Sequence, residues 1–320
     1  MNTQIKLAII AIAIVIPLAS LAITQTNSPS NNSTNENSKL QVVASATFLY
    51  EFSQNIGKEM IDVTLLVPMG ADPHDWEPTI RDTERLQKAD MIIVNGIGYE
   101  HWLNSLELSD IAGILVDTSN GISTLDSANH DEEKHDDHAK EDGHDDEDNH
   151  NHGVLDPHIW LNPVFAQLQV KNIANALSNS DPTNKNYYQS NAAIYNQKLN
   201  LLDTKIRTEL SGCKTDFITF HDAFSYFSEE YGLTQHTIIS STDSHGEVTP
   251  KTLENIISLA RELDIKVIFA EESTSTKTSQ VIADEIGGKV LVLSPLEIVS
   301  DETYVEKMTQ NLESLKDALC

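Results

Sequence analysis

The feature that most constrains the fold is a long stretch of chain without a helix breaker. From Thr183 to Ser211 the chain contains neither glycine nor proline. Asp181-Pro182 precedes the stretch as an N-cap with proline at the first helical position, and Gly212 ends it. Apolar residues recur along it at Ile194, Leu199, Leu202, Ile206 and Leu210. We therefore predict a linking helix over 181–212 of roughly 30 residues, about 45 Å long, which can join two lobes.

Short apolar runs alternate with helical patterns on both sides of this helix. The runs are almost continuously apolar, which is typical of parallel strands covered on both faces. They lie at 41–47, 62–67, 91–95, 113–117, 216–220, 237–240, 266–270 and 289–293, and the helical patterns include 100–108 and 221–230. We predict an α/β fold with two Rossmann-like lobes on parallel sheets, at 40–180 and 213–320. Ligands bind outside the carboxyl ends of such strands, commonly in one cleft between lobes.

The chain is strongly acidic, with a formal net charge of −28 at pH 7. Attraction to phosphate needs Lys and Arg, so a general nucleic-acid binder is excluded. An acidic body suits a cationic ligand, although acidity alone does not identify one.

The amino terminus carries an apolar run over 7–23 that is interrupted by a polar residue only at Ser20. Residues 1–23 are either a cleaved signal peptide or an uncleaved membrane anchor at the short limit of a span. Residues 24–39, dominated by Asn, Ser and Thr, are predicted to be a flexible leader. Either interpretation places the body outside the cytoplasm, in the periplasm or at the cell surface.

The chain has two cysteines, Cys213 and Cys320. They are too few and too far apart for a zinc–thiolate site. In an oxidising compartment they can form one disulfide, worth about 4–5 kcal/mol in the chain-entropy model. Two free thiols are the alternative, and the sequence does not decide between them.

Six of the twelve histidines fall in one acidic tract within a loop that we predict to be disordered, 126–153. Such a tract offers weak, interchangeable His, Asp and Glu sites for metal. We predict accessory metal binding there, with a merely solvated acidic loop as the alternative. The six are His130, His135, His138, His144, His150 and His152.

Three quieter histidines lie in turn-rich segments or at a strand end. His74 and His158 each follow Asp-Pro and are soon followed by Trp and Pro, and His221 ends the strand predicted at 216–220. Binding residues are concentrated at such positions. The gaps between them are too long for a local metal motif, so only the fold brings them together. Taken singly, each histidine has an ordinary structural interpretation. The repeated Asp-Pro-His context favours a joint metal site.

Several motifs resemble the solute-binding proteins of zinc and manganese ABC importers, over about residues 40 to 318. The motifs are Asp72-Pro-His-Asp-Trp-Glu-Pro78, Val94-Asn-Gly-Ile-Gly-Tyr-Glu-His-Trp-Leu103, Asp156-Pro-His-Ile-Trp-Leu-Asn-Pro163, Phe220-His-Asp-Ala-Phe-Ser-Tyr-Phe-Ser-Glu-Glu-Tyr-Gly232 and Ile268-Phe-Ala-Glu271. The resemblance implies a metal receptor with a helical backbone, a monomer that is not an enzyme and that delivers metal to a membrane permease. It also implies that His74, His158 and His221 bind the metal. The His-rich loop is similar to that of the zinc-specific branch.

The fourth ligand is where this sequence departs from the family. Many members carry aspartate in a context like Leu-Asp-Pro-Leu, and this chain has Ser294 there. Serine is a poor zinc ligand, so water, Glu271 or Glu297 is expected to complete the site. Any of Glu271, Ser294 and Glu297 that does not bind the metal is expected to support the residues that do. Three imidazoles favour Zn²⁺ over Mn²⁺.

Other functions remain open. They are a manganese receptor of the same family, an extracytoplasmic zinc buffer or adhesin, and a zinc hydrolase. The hydrolase has little support, because the chain lacks a His-Glu-x-x-His helix, a P-loop and a nucleophile elbow.

Overall fold

The computed structural model of the protein describes residues 39–68, 71, 73–106, 109, 111–125, 155–239, 248–272 and 276–320. The predictions for residues 1–23, for 24–38 of the leader and for the loop 126–153 with its six histidines lie outside these residues. Leu40–Cys320 forms one compact unit. Of the helices in the described residues, none has the length and apolar character to cross a membrane.

The first sheet contains four parallel strands in the order β2-β1-β3-β4. The strands are β1 (Leu40–Ala44), β2 (Ile61–Leu65), β3 (Met91–Val94) and β4 (Ile114–Asp117). All four residues of β3 are buried, which fits its apolar sequence and its position inside the sheet.

The second sheet repeats this order as β6-β5-β7-β8, again with all strands parallel. Its strands are β5 (Asp216–Thr219), β6 (Thr234–Thr237), β7 (Val267–Ala270) and β8 (Lys289–Val292). In each sheet the strand order reverses beside the first strand of the lobe. Such a switch point opens a crevice at the carboxyl ends of the two strands that flank it. The predicted α/β fold with two parallel lobes is confirmed.

Helices cover the sheets and connect the lobes. They are α1 (Thr47–Gly57), α2 (Ile80–Lys88), α3 (Pro163–Ser180), α4 (Lys185–Glu209), α5 (Ser225–Tyr231), α6 (Pro250–Glu262), α7 (Lys277–Ile286) and α8 (Tyr304–Leu319). The predicted long helix is α4, preceded by a 3₁₀ turn at Pro182–Asn184 whose Asp181 side chain caps Asn184 N–H.

One position on the long helix differs from the prediction. Leu199, Leu202 and Ile206 point into the core, but Ile194 is 55% exposed. Tyr195, the next residue, takes the inward position, because it lies four residues before Leu199. The aromatic side chain therefore sets the buried face at this turn.

Three predicted elements have different limits in the structure. Instead of a helix over 100–108, a short 3₁₀ helix spans His101–Ser105. The helix predicted from residue 221 begins at Ser225. β6 begins at Thr234, two residues after left-handed Gly232 ends α5, and not at residue 237. The polar, half-exposed sequence of this edge strand gives no apolar signal.

Cys213 and Cys320 are joined by a disulfide bond that closes a sequence separation of 107 residues. Cys213 follows the end of α4, and Cys320 follows α8. The bond therefore fastens the carboxyl terminus to the end of the long helix.

Candidate metal site

His158 lies in the segment that precedes α3, and a carboxylate two residues earlier accepts hydrogen bonds from it. Asp156 Oδ1 accepts a hydrogen bond from the His158 backbone N–H at 2.9 Å and lies 2.7 Å from Nδ1 of the ring. A carboxylate only accepts, so Nδ1 carries the proton and Nε2 is left as the ligand atom. Both side chains are completely buried.

The same arrangement recurs at His221, in the crevice of the second sheet. His221 follows β5, and Glu271 follows β7 beside it. Glu271 Oε1 accepts from His221 N–H at 3.1 Å and lies 2.6 Å from His221 Nδ1. Glu271, expected as a fourth ligand or a supporting residue, therefore lies behind the histidine and orients its Nε2.

His74 and Glu297 complete a group of four. His74 Nε2 lies 2.9 Å from Glu297 Oε1, which lies 3.5 Å from His158 Nε2. His158 Nε2 and His221 Nε2 are 3.4 Å apart. One ligand atom from each of His74, His158, His221 and Glu297 lies within 4.8 Å of the others. A tetrahedron with Zn–N bonds of about 2.0–2.1 Å has edges of about 3.4 Å, so the spacing fits a zinc ion.

Ser294 lies close to this group without belonging to it. Its hydroxyl donates to Glu272 Oε2 at 2.9 Å and accepts from Leu296 N–H at 3.2 Å. Serine here shapes the turn that leads to Glu297. Leu296, which precedes Glu297, has a left-handed backbone with φ of 62°.

The turn before Glu297 is fastened to the first lobe. The indole N–H of Trp160 donates to Pro295 O at 2.8 Å, and the Thr47 hydroxyl donates to Leu296 O at 2.9 Å. Trp160 is only two residues after His158. The loops that carry His158 and Glu297 are therefore tied directly to each other.

The crevice of the first sheet supports the other side of His158. Glu100 accepts hydrogen bonds from Ser45 Oγ at 2.6 Å, Asn95 N–H at 2.7 Å and Gly96 N–H at 3.0 Å. Asn95 Nδ2 in turn donates to Pro157 O at 2.9 Å. Burial raises the pKa of Glu100 to about 7, although the three hydrogen bonds oppose the shift.

Burial and neighbouring charges shift the pKa values of His158 and Glu297. Burial lowers the pKa of His158, but the charges and hydrogen bonds of Asp156 and Glu297 more than offset this and raise it to about 10. Burial raises the pKa of Glu297, but His74 and His158 hold it well below its usual range. In the metal-free protein the carboxylate is therefore ionised beside a protonated imidazole.

All four residues of the group are among those predicted from the sequence, where Glu297 was one of three choices for the fourth position. The supporting role of Asp156 was not predicted, although the Asp-Pro-His spacing contained that signal. A carboxylate two residues before a histidine can reach both its backbone N–H and its Nδ1. The contribution of Asn95 and Glu100 had no comparable local signal.

Comparison with known proteins gives the family. The family model described as "Zinc-uptake complex component A periplasmic" (ZnuA) matches residues 42–318. The chain belongs to the ZnuA family. The high-affinity zinc uptake system protein ZnuA of Bacillus subtilis is 42% identical over 290 residues, covering 88% of each chain. The zinc-binding protein AdcA of Streptococcus pyogenes is 32% identical over 87% of this chain, which spans only 56% of that relative.

Solved structures of relatives agree with this membership. A crystal structure of ZnuA superposes with a TM-score of 0.74 at 30% identity, covering 88% of this chain and all of that one. The laminin-binding adhesin Lmb of Streptococcus agalactiae superposes with a TM-score of 0.76 at 27% identity, with the same coverage. ZnuA-family members are solute-binding receptors and not enzymes.

Proposed function

We propose that this protein is an extracytoplasmic receptor that binds Zn²⁺ and delivers it to the permease of an ABC importer. The observation that carries the proposal is the convergence of His74, His158, His221 and Glu297 within 4.8 Å. The zinc-uptake and zinc-binding relatives support it.

The donor set favours zinc. Three imidazoles and one carboxylate provide four ligands at tetrahedral spacing, whereas Mn²⁺ prefers more oxygen ligands and octahedral geometry. The imidazoles of His158 and His221 are completely buried, and that of His74 is 4% exposed. A buried group of imidazoles with the carboxylates of Glu297, Asp156 and Glu271 beside them suits a cation that must be held away from water.

The proposed ligands come from both lobes, and this supports delivery of the ion to a permease. His74 and His158 belong to the first lobe, and His221 and Glu297 belong to the second. Separation of the lobes divides the four ligands into two pairs. Each pair holds zinc less tightly than the whole set, so opening against a permease would release the ion.

A zinc hydrolase needs an open position on the metal for water. Here Glu297 supplies a fourth protein ligand, and Glu271 is already bonded to His221. The site therefore resembles a closed cage for a transported ion more than a catalytic centre. We also propose the lobe limits 40–180 and 213–320, and an amino-terminal signal or anchor at 1–23.

The proposal is tested by titrating metal-stripped protein with zinc in competition with a strong chelator, so that only a tight site is measured. We expect one tight site, with Mn²⁺ bound much more weakly. His74→Ala, His158→Ala, His221→Ala and Glu297→Ala should each weaken zinc binding by more than about 100-fold.

His101→Ala is the matched control, because His101 is exposed and lies outside the group of four. It should bind zinc like the unaltered protein. Equal competition by Mn²⁺, or retention of the tight site in a ligand variant, would refute the zinc assignment.

A further inference from the structure

The hydroxyl of Tyr226 joins the two lobes at a position next to the metal site. Tyr226 lies on α5 of the second lobe, five residues after His221, and is 1% exposed. Its hydroxyl donates to Asp156 O at 2.7 Å and accepts from Leu125 N–H at 3.0 Å. Both partners belong to the first lobe, so one phenol bridges two chain segments across the interface.

The two bridged residues stand on either side of residues 126–154. Leu125 and Asp156 are also joined directly, since Asp156 N–H donates to Leu125 O at 3.1 Å. Leu125 and Asp156 therefore lie side by side in the first lobe. Tyr226 fixes this pair to the second lobe.

Asp156 is the residue whose carboxylate orients His158. A restraint on the Asp156 peptide is therefore a restraint on the Nε2 direction of a proposed zinc ligand. α5 also contacts the other end of the segment from Asp156 to Asn162. Asn162 Nδ2 lies 3.4 Å from Tyr226 O and 3.1 Å from Glu230 Oε2. The ligand loop is thus held at both ends by the helix that follows His221.

We propose that Tyr226 is a positioning residue that holds His158 against His221 when the lobes are closed. The inference rests on the proposed zinc-receptor function. When the lobes open, the hydrogen bonds of the Tyr226 hydroxyl break. When the lobes close, these bonds form again and restore the His158 orientation that zinc requires. The phenol therefore slows zinc release without touching the ion.

The test compares zinc dissociation from Tyr226→Phe and Tyr188→Phe by stopped-flow mixing with a chromogenic chelator. Tyr188 is a matched control, because it is fully buried and its hydroxyl donates to Asp181 Oδ2 at 2.8 Å at the start of the long helix. Both variants lose one buried hydroxyl. We expect Tyr226→Phe to release zinc about three- to tenfold faster, and Tyr188→Phe to match the unaltered protein. Equal rates in the two variants would overturn the proposal.

A measurement on the unaltered protein keeps the proposal testable even if Tyr226→Phe does not fold. We expect zinc to slow hydrogen exchange of the Leu125 amide, followed by NMR, because closing forms the bond to the Tyr226 hydroxyl. An unchanged exchange rate contradicts the inference. If unaltered protein has no tight zinc site, the proposed function fails. If it has one and Tyr226→Phe behaves like its control, only the positioning role fails.

Discussion

Two histidines of the site are each held by a carboxylate on Nδ1 and on their own backbone N–H. Asp156 serves His158 within three residues of sequence, and Glu271 serves His221 across neighbouring strands. The hydrogen bonds fix the ring direction and keep a proton on Nδ1, so that Nε2 is the nitrogen available to a metal. They also place negative charge next to the imidazoles, and at His158 the charge of Asp156 raises the pKa.

Zinc binding should therefore release a proton from His158. Its pKa is raised to about 10 from a usual value of 6.5, so at neutral pH the metal-free ring keeps a proton that an ordinary histidine would mostly have lost. Zinc requires the free Nε2 lone pair and must displace this proton. We expect release of about one proton from this residue at pH 7.5, and an affinity that falls up to about tenfold for each unit of acidification.

Calorimetric titration of zinc in buffers with different ionisation enthalpies measures the released protons. Asp156→Asn is the informative variant, because it removes the charge that raises the pKa of His158. It should release fewer protons at pH 7.5. Binding without proton release in the unaltered protein would contradict the prediction.

Strands and the long helix were largely predictable, because apolar periodicity reports burial directly. β3 and β7 coincide closely with the predicted apolar runs. β6 has a polar sequence, so the prediction placed this strand too late in the chain, on the buried Ile238-Ile239 that follows it. The convergence of His74, His158, His221 and Glu297, the proposed ligands, depends on loop conformations that periodicity does not encode. Glu297 reaches the site through the left-handed turn at Leu296, and no local pattern predicts that turn.

The loop after β3 depends on its glycines to different degrees. Gly96 and Gly98 have φ of 86° and 77°, which favours glycine at both positions. A Cβ on Gly96 would collide with the Asp117 carboxylate, which is fixed by the N–H and hydroxyl of Ser119. A Cβ on Gly98 would meet no atom within 4 Å.

Gly96→Ala should therefore destabilise the protein more than Gly98→Ala. We expect Gly98→Ala to lower the free energy of unfolding by about 1–2 kcal/mol for the left-handed backbone alone. Gly96→Ala should cost about 1–3 kcal/mol more, because the collision adds to the same backbone term. Equilibrium urea denaturation measures both, and equal losses would argue against the collision.

Different contacts stabilise different parts of the molecule. α4 packs on α1, α3 and α8, and so joins helices of both lobes. Close to the site the lobes meet through directional contacts, such as the Tyr304 hydroxyl donating to Trp160 O at 2.6 Å. The disulfide is at the other side. Cys213 precedes β5 and His221 follows it, so the bond and the site lie at opposite ends of that strand.

Removal of the disulfide should weaken the fold and leave the site intact. Replacing both Cys213 and Cys320 by serine releases a closed loop with a sequence separation of 107 residues. We expect the free energy of unfolding of the zinc-free protein to fall by about 2–5 kcal/mol, measured by urea denaturation. Zinc affinity of the folded variant should stay within about twofold, since the four proposed ligands keep their hydrogen-bond partners. A reductant should bring the unaltered protein to the same stability and leave the variant unchanged. Loss of zinc affinity in a folded variant would show that the two ends of β5 are coupled.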